Sequence, residues 1–303
     1  MPGYLGSNEF FRNNLEKPIL EGTEKGAQTA ELLHKKTRPF ILRRLKDDVE
    51  KDLPKKIETD LHVPMTESQI ELYTQILEEV RPKVFEAIAE RGVRGAGVSI
   101  LAAMLRLRQV CNHPNSIDGL QDLPNLDSGK FNLFKEVMTE ALESGRKILV
   151  FSQFREMLRL IKEFLDSIKA EYLYLDGGTK NRQDLVDKFN ADIDTRVFVI
   201  SLKAGGTGLN LTGADTVVLY DPWWNPAVES QAIDRAHRIG QKRSVTVYRL
   251  ITEDSIEQKI MKLKEKKKKI TDALLQEGGG GSPLNLTKTE LEDLFRIPTE
   301  PSQ

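Results

Sequence analysis

The stretch VFVISLKAGGTGLNLTGADTVVLYDPWWNPAVESQAIDRAHRIGQ (197–241) holds the densest set of residues suited to chemistry. Ser201, Lys203 and the glycines Gly205, Gly206 and Gly208 directly follow an apolar, strand-like run. A glycine-rich loop at a strand end leaves backbone N–H groups free to meet phosphate oxygens, and Lys203 adds a cation. The same glycines would equally serve a tight turn that needs positive φ. No Walker A pattern occurs in the chain, so this loop is not a complete phosphate cradle. Further on, Gln231, Arg235 and Arg238 are spaced four and three apart, so a helix over 226–238 presents all three on one face. Two arginines aimed together suit the negative charge of a transferring γ-phosphoryl group. The competing reading is a surface helix whose arginines pair with Asp234 or Glu229.

Trp223 and Trp224 sit in a proline-bounded loop after another strand-like run. A ring there can stack on a nucleic-acid base, or one of the two can seal the bottom of a sheet. Ser152 and Gln153 end the run FSQF, where a hydroxyl and an amide suit phosphate contact. The lysines 266–269 could touch a nucleic-acid backbone, although such a run on a long helix is commonly a solvated face.

These residues need a scaffold, and the apolar pattern supplies one. KILVF (147–151), EYLYL (171–175), RVFVI (196–200), TVVLY (216–220) and VTVYRL (245–250) read as strands. Helices are expected between them at 131–143, 153–167, 181–191 and 226–238. Such alternation implies βαβ units and a parallel sheet covered on both faces, with chemistry in the loops after the strands. From Met65 to about Asn112 the pattern is helical: Ile70, Tyr73, Ile76, Leu77 and Val80 form one set, Ile100, Met104, Leu107 and Val110 another. Thr66 and Gln69 make a capping box, and RGVRGAG (91–97) is a glycine-punctuated turn. Residues 1 to about 58 read as an irregular connector, and the opening GYLGSNEFFRN suggests a piece cut from a longer protein. Beyond Asp254 one long helix is expected to about Leu275, with Asp254 or Ser255 near its cap and Ile256, Ile260, Leu263, Ile270 and Leu274 on one face. GGGGS (278–282) is a flexible linker, and LTKTELEDLF carries caps for a short helix.

Composition narrows the classes. A net charge of −1 announces no polyanion partner, though it does not exclude a local basic face. Cys111 is the only cysteine, which excludes an internal disulfide and a cysteine-rich zinc site, and the four histidines lack metal-ligand spacing. No apolar run is long enough to span a bilayer and no signal-peptide core opens the chain, so an intracellular soluble protein is expected.

In this order the motifs resemble the C-terminal lobe of the SWI/SNF family of superfamily-two helicase-like ATPases. KILVFSQF resembles motif IV, YLDGGT (174–179) the short motif after it, ISLKAGGTGLNL (200–211) motif V, and QAIDRAHRIGQ motif VI. DPWWNP (221–226) matches the family's aspartate–tryptophan–asparagine–proline loop, with Trp224 in the tryptophan position. RPFILRRLKDDVEKDLPKK (38–56) resembles the segment joining the two lobes, and LRLRQVCNHP (105–114) the helical insertion before lobe two.

The resemblance implies a RecA-like α/β lobe, P-loop NTPase-like, with a helical insertion. It divides the chain into a connector (1–58), a helical protrusion (59–128), the RecA-like lobe (129–253), a brace helix (254–277) and a flexible tail (278–303). It favours the phosphate-handling readings, with Arg235 and Arg238 as arginine fingers reaching across an interlobe cleft. Gln231 and Asn210, grouped with Gly208 and Gln241 of the same motifs, would line the nucleotide side. Ser152, Gln153, Gly177, Ser201, Lys203 and Gly205 would follow the phosphates of a tracked strand, with Trp224 near its bases. ATP and Mg²⁺ would be held mainly by a separate N-terminal lobe, because the Walker A lysine and acidic box are absent from this sequence. The implied partners are double-stranded DNA and that lobe, in an otherwise monomeric protein with no membrane association. A prokaryotic source would place it in the cytoplasm with the nucleoid, a eukaryotic one in the nucleus; the short tail without a basic nuclear-type cluster leans towards the former. The rival expectation is a binding module that keeps the fold without the motor.

Overall fold

The computed structural model describes residues 3–20, 24–40, 53–120, 126–202, 204, 208–223, 226–274 and 286–296. The chain forms two units, 1–52 and 53–303. In the first, helix α1 (Glu24–Thr37) follows short helical turns at Asn8–Phe11, Arg12–Glu16 and Lys17–Leu20. This corrects the expected irregular connector: Ala, Glu, Gln, Leu and Lys dominate α1, and all are good helix formers. A Cβ on Gly26 would stand 2.2 Å from the Pro18 carbonyl oxygen, so the fold-back there requires glycine. Tyr4 packs edge-on against Phe40, with ring centroids 5.1 Å apart.

The second unit is built on an all-parallel sheet of β1 (Lys56–Val63), β2 (Ile148–Ser152), β3 (Tyr172–Leu175), β4 (Val197–Ser201), β5 (Thr216–Leu219) and β6 (Val245–Thr252), in the order β1-β6-β5-β2-β4-β3. Pleating sends Leu149, Phe151, Phe198 and Ile200 to one face and Ile148, Val150, Val197 and Val199 to the other. Helices α4 (Gly129–Glu143) and α5 (Arg155–Ser167) cover the second face through Phe134, Met138, Met157 and Ile161. Helices α6 (Arg182–Ala191) and α7 (Pro226–Ile233) cover the first through Phe189, Ala232 and Ile233. Burial on both faces explains why the inner strands read as unbroken apolar runs. The expected α/β sheet with helices on both faces is therefore the observed fold.

Two expectations fail here. β1 occupies residues given to the connector and the helical segment. It is an edge strand with mostly exposed positions, and its Glu58 and Asp60 pair with Arg249 of β6 rather than facing a core. The helix expected over 226–238 ends at Ile233, and residues 234–240 form turns, with Gly240 at φ +98°.

Helices α2 (Glu67–Gly95) and α3 (Gly97–Asn112) form the insertion, and their apolar faces share a core with Ile256 and Ile260 of α8 (Ile256–Leu274). Of the apolar positions expected in α2 and α3, Ile70 alone is exposed. The capping box at α2 is present: Gln69 N–H donates to Thr66 Oγ1 (3.3 Å) and Thr66 N–H to Gln69 Oε1 (3.2 Å). Gly92, at φ +69°, marks the kink before α3. Ser255 caps α8 by accepting the Glu257 N–H at 3.1 Å. The expected flexible tail is corrected for residues 286–296: α9 (Lys288–Leu294), with its Thr287–Glu290 capping box, buries Leu286, Leu291, Leu294 and Phe295 in the insertion core. GGGGS 278–282 and the side chains of lysines 266–269 lie outside the described residues.

Candidate functional site

β2 and β5 are neighbours whose following connections leave in opposite directions, to β3 on one side and β6 on the other. In open parallel sheets the crevice beyond such a point is the usual ligand position. Three loops line it: the one after β2, the one after β4, and the one after β5.

After β2, Ser152 is buried and lies in register with Ser201 of β4. Its Oγ accepts the Phe154 N–H at 3.2 Å and its carbonyl accepts the Leu202 N–H at 2.9 Å. The Gln153 N–H donates to both carboxylate oxygens of Asp221, at 3.3 and 3.1 Å, while its side-chain Nε2 is buried without a partner. After β3, Gly177 is exposed in open space and its carbonyl accepts a hydrogen bond from Arg182 (3.3 Å). Lys203, Gly205 and Trp224 lie outside the described residues.

The loop after β4 and the arginine segment are stitched together. Leu211 N–H donates to the Arg235 carbonyl at 2.9 Å. Gly208 and Asn210 are exposed beside this stitch, and the Asn210 carbonyl accepts from Asn190 (2.8 Å). Gln241 is committed elsewhere: its Nε2 reaches the carbonyls of Thr212 (3.1 Å), Ala214 (2.7 Å) and Ala236 (3.0 Å), so it shapes the loop and leaves no amide donor for a ligand.

The arginines are brought together by a turn and not by a common helical face. Gln231 stays on α7 and is exposed, Arg238 is exposed, and Arg235 is only 8% exposed. Burial, and then the neighbouring Arg238 charge, draw the Arg235 guanidinium below its ordinary pKa against the opposing pull of Asp234. Arg235 Nε is buried without a hydrogen-bond partner, and neither guanidinium forms an ion pair among the described residues. Glu229, one of the carboxylates proposed to neutralise them, is taken by Lys264 (3.2 Å) and Arg249 (3.6 Å).

Asp221, which the sequence reading takes only as the first letter of a motif, is a buried acid of this region. Its side chain is fully buried, with Arg108 of α3 at 3.8 Å. Burial pushes its carboxyl up to about 6, against the opposing effects of Arg108, Ser152 and the Gln153 N–H. A raised acid pKa means stability that is complete below the ordinary value of 3.8 and lost as pH rises through about 6. Relative to Asp221→Asn, the wild-type chain should therefore lose on the order of 2–3 kcal/mol between pH 4 and 7. Urea unfolding of both proteins across that range checks this, and a constant difference would contradict it.

Among the described residues no group of three His, Cys, Asp or Glu could hold a metal ion, and no helix is long and apolar enough to cross a membrane.

Comparison with known proteins bears on this geometry. The model of the helicase conserved C-terminal domain matches residues 129–240, and that of the SNF2-related domain matches residues 1–116. The chain is 34% identical over 310 residues to the ISWI chromatin-remodeling complex ATPase ISW2 of Saccharomyces cerevisiae, covering 98% of this chain and 27% of that one. It spans about a quarter of the length of the curated relatives it matches. Among solved structures, the Sulfolobus solfataricus SWI2/SNF2 ATPase core in complex with dsDNA superposes with a TM-score of 0.65 at 31% identity, covering 98% of this chain and 62% of that one. The C-terminal domain of the Sulfolobus solfataricus SWI2/SNF2 ATPase gives 0.63 at 29% identity, covering 80% of this chain and 99% of that one. With residues 1–116 matching the SNF2-related domain, residues 129–240 matching the helicase conserved C-terminal domain, and a SWI2/SNF2 ATPase core superposing over nearly the whole chain, the chain belongs to the SWI/SNF family of helicase-like ATPases.

Proposed function

We propose that this chain is the second motor lobe of an ATP-dependent translocase that moves along double-stranded DNA and remodels protein–DNA complexes. The observation that carries the reading is the arginine pair. Arg235 and Arg238 lie in one turn stitched to the glycine-rich loop, without ion-pair partners among the described residues, and one guanidinium nitrogen is buried and unsatisfied. A buried unpaired donor costs stability, so a binding module with no anion to meet has no reason to keep it. In this reading a separate N-terminal lobe holds ATP and Mg²⁺. The arginines reach the transferring phosphoryl group from across the cleft.

Gly177 and the exposed amides of the loops after the strands would meet the DNA backbone, whereas Ser152 is buried with its hydroxyl accepting the Phe154 N–H and the Gln153 N–H is spent on Asp221. Such contacts position a duplex without reading its sequence. The purified chain should therefore bind duplex DNA weakly, towards the weak end of roughly 10⁻⁴ to 10⁻⁶ M, and lose affinity as salt rises. Fluorescence anisotropy with two unrelated duplexes at low and physiological salt tests this. A salt-independent affinity, or a strong preference for one sequence, would contradict the proposal.

A further inference from the structure

Four consecutive residues after β5, Tyr220 to Trp223, are gripped by elements from outside the sheet. The Tyr220 hydroxyl donates to the Asn112 carbonyl at the end of α3 (2.7 Å). Asp221 accepts the Gln153 N–H and faces Arg108. Arg108 Nη2, on α3, donates to the Pro222 carbonyl at 2.6 Å. Trp223 donates its N–H to Glu229 of α7 at 2.5 Å, and its carbonyl accepts from Lys264 of α8, also at 2.5 Å. The insertion and α8 thus each spend a nearly buried cation on a main-chain carbonyl of this one loop. The Arg108 and Lys264 side chains are 10% and 13% exposed. Desolvating two cations is costly and is recovered only by well-aligned partners. Packing alone does not call for it, because an apolar side chain would fill the same space at lower cost.

We propose that Arg108 and Lys264 are positioning residues: they fix the backbone of residues 221–223 from the insertion and from α8, and so set the course of the loop that the translocase reading turns towards duplex DNA. The second half of this statement rests on the translocase reading; the first half does not. Lysine at 108 would keep the charge opposite Asp221. Its ammonium rides on a shorter, flexible stem and loses the rigid planar group whose Nη2 makes both contacts, to the Pro222 carbonyl (2.6 Å) and towards Asp221 (3.8 Å).

The chain contains two tryptophans, both in this loop, so its intrinsic tryptophan emission reports on the loop alone. Acrylamide quenching of that emission without DNA, duplex affinity by anisotropy, and melting temperature are to be measured on the full chain. The variants are Arg108→Ala, Arg108→Lys and Lys264→Met, with Arg106→Ala as control; Arg106 is two residues away on α3, in an exposed pair with Glu79. Arg108→Ala and Lys264→Met should raise the quenching constant about twofold or more and weaken duplex affinity about tenfold, the worth of one lost base-stacking contact. Arg108→Lys should stay folded and still show raised quenching, whereas Arg106→Ala should match the wild type in every measurement. Should Arg108→Ala fail to fold, Arg108→Lys and Lys264→Met carry the test. Folded variants with wild-type quenching would overturn the positioning role. Raised quenching with unchanged affinity would overturn the link between loop pose and DNA. Raised quenching in a chain whose wild type shows no salt-dependent duplex binding would leave the positioning role standing and defeat the translocase reading.

Discussion

Arg238→Ala, placed in a two-lobe enzyme made by joining this chain to a Walker A lobe, is expected to lower DNA-stimulated turnover by about 10³ to 10⁵, or roughly 4 to 7 kcal/mol. The side chain is exposed, with no ion pair among the described residues, so its removal should leave the melting temperature unchanged. Nucleotide affinity should fall far less than turnover, because the charge it meets develops in the transition state. Arg235→Ala should lose turnover similarly but also melt earlier, since Arg235 is buried where Arg238 is not. Lysine at either position should rescue poorly, lacking the planar fork of donors. Turnover, nucleotide affinity and melting temperature of each variant separate the possibilities. Turnover within about threefold of the parent would make these arginines ordinary surface residues. A collapse of Arg238→Ala stability together with activity would make that residue structural.

A second large effect is expected far from the arginines, in stability alone. Lys130 at the start of α4 and Glu257 at the start of α8 form an ion pair with side chains 0% and 1% exposed. Lys130 also reaches Asn112 Oδ1 (3.2 Å), and Glu257 Oε2 accepts the Thr252 N–H (3.2 Å). The pair therefore ties the end of α3, the end of β6 and the root of α8 into one buried network. Lys130→Ala leaves a carboxylate buried without its cation, which should cost about 3 to 5 kcal/mol. That is a large share of the roughly 5 to 15 kcal/mol that holds a domain folded. Replacing both partners, as Lys130→Met with Glu257→Gln, should be far milder than the sum of the single changes, because no charge is then stranded. Urea unfolding of the two single variants and the double variant measures this coupling; additive losses would show that the pair is not energetically linked.

The fold and the candidate site were legible unevenly, for physical reasons. The four inner strands announced themselves because burial on both faces demands apolar runs such as ILVFS and VFVIS. KIETDLHV did not, because an edge strand carries its charges outward and cross-pairs them with Arg249. Spacing of four and three at Gln231, Arg235 and Arg238 fits a helix as well as it fits any template, yet the chain turns after Ile233. There the Arg235 carbonyl accepts the Leu211 N–H and Gln241 fastens three other carbonyls. The arginines' proximity was thus expected for the wrong local reason. The tail's capping box was visible in LTKTELEDLF, but its docking was not, since Leu291, Leu294 and Phe295 find their partners on distant helices. Arg108 meeting Pro222, 114 positions along the chain, is a juxtaposition that local pattern cannot carry.

The most direct test of the half-motor account is phosphate release from ATP with duplex DNA present, measured for this chain alone and for the same chain joined to a lobe bearing a Walker A lysine and an acidic metal-binding box. The chain alone lacks the Walker A pattern, and on the half-motor reading it should show no turnover above the protein-free rate. The joined enzyme should hydrolyse ATP in a DNA-stimulated way and lose that activity on Arg238→Ala. Turnover near one per second by the chain alone, within the ordinary range for a complete enzyme and surviving further purification, would contradict the account.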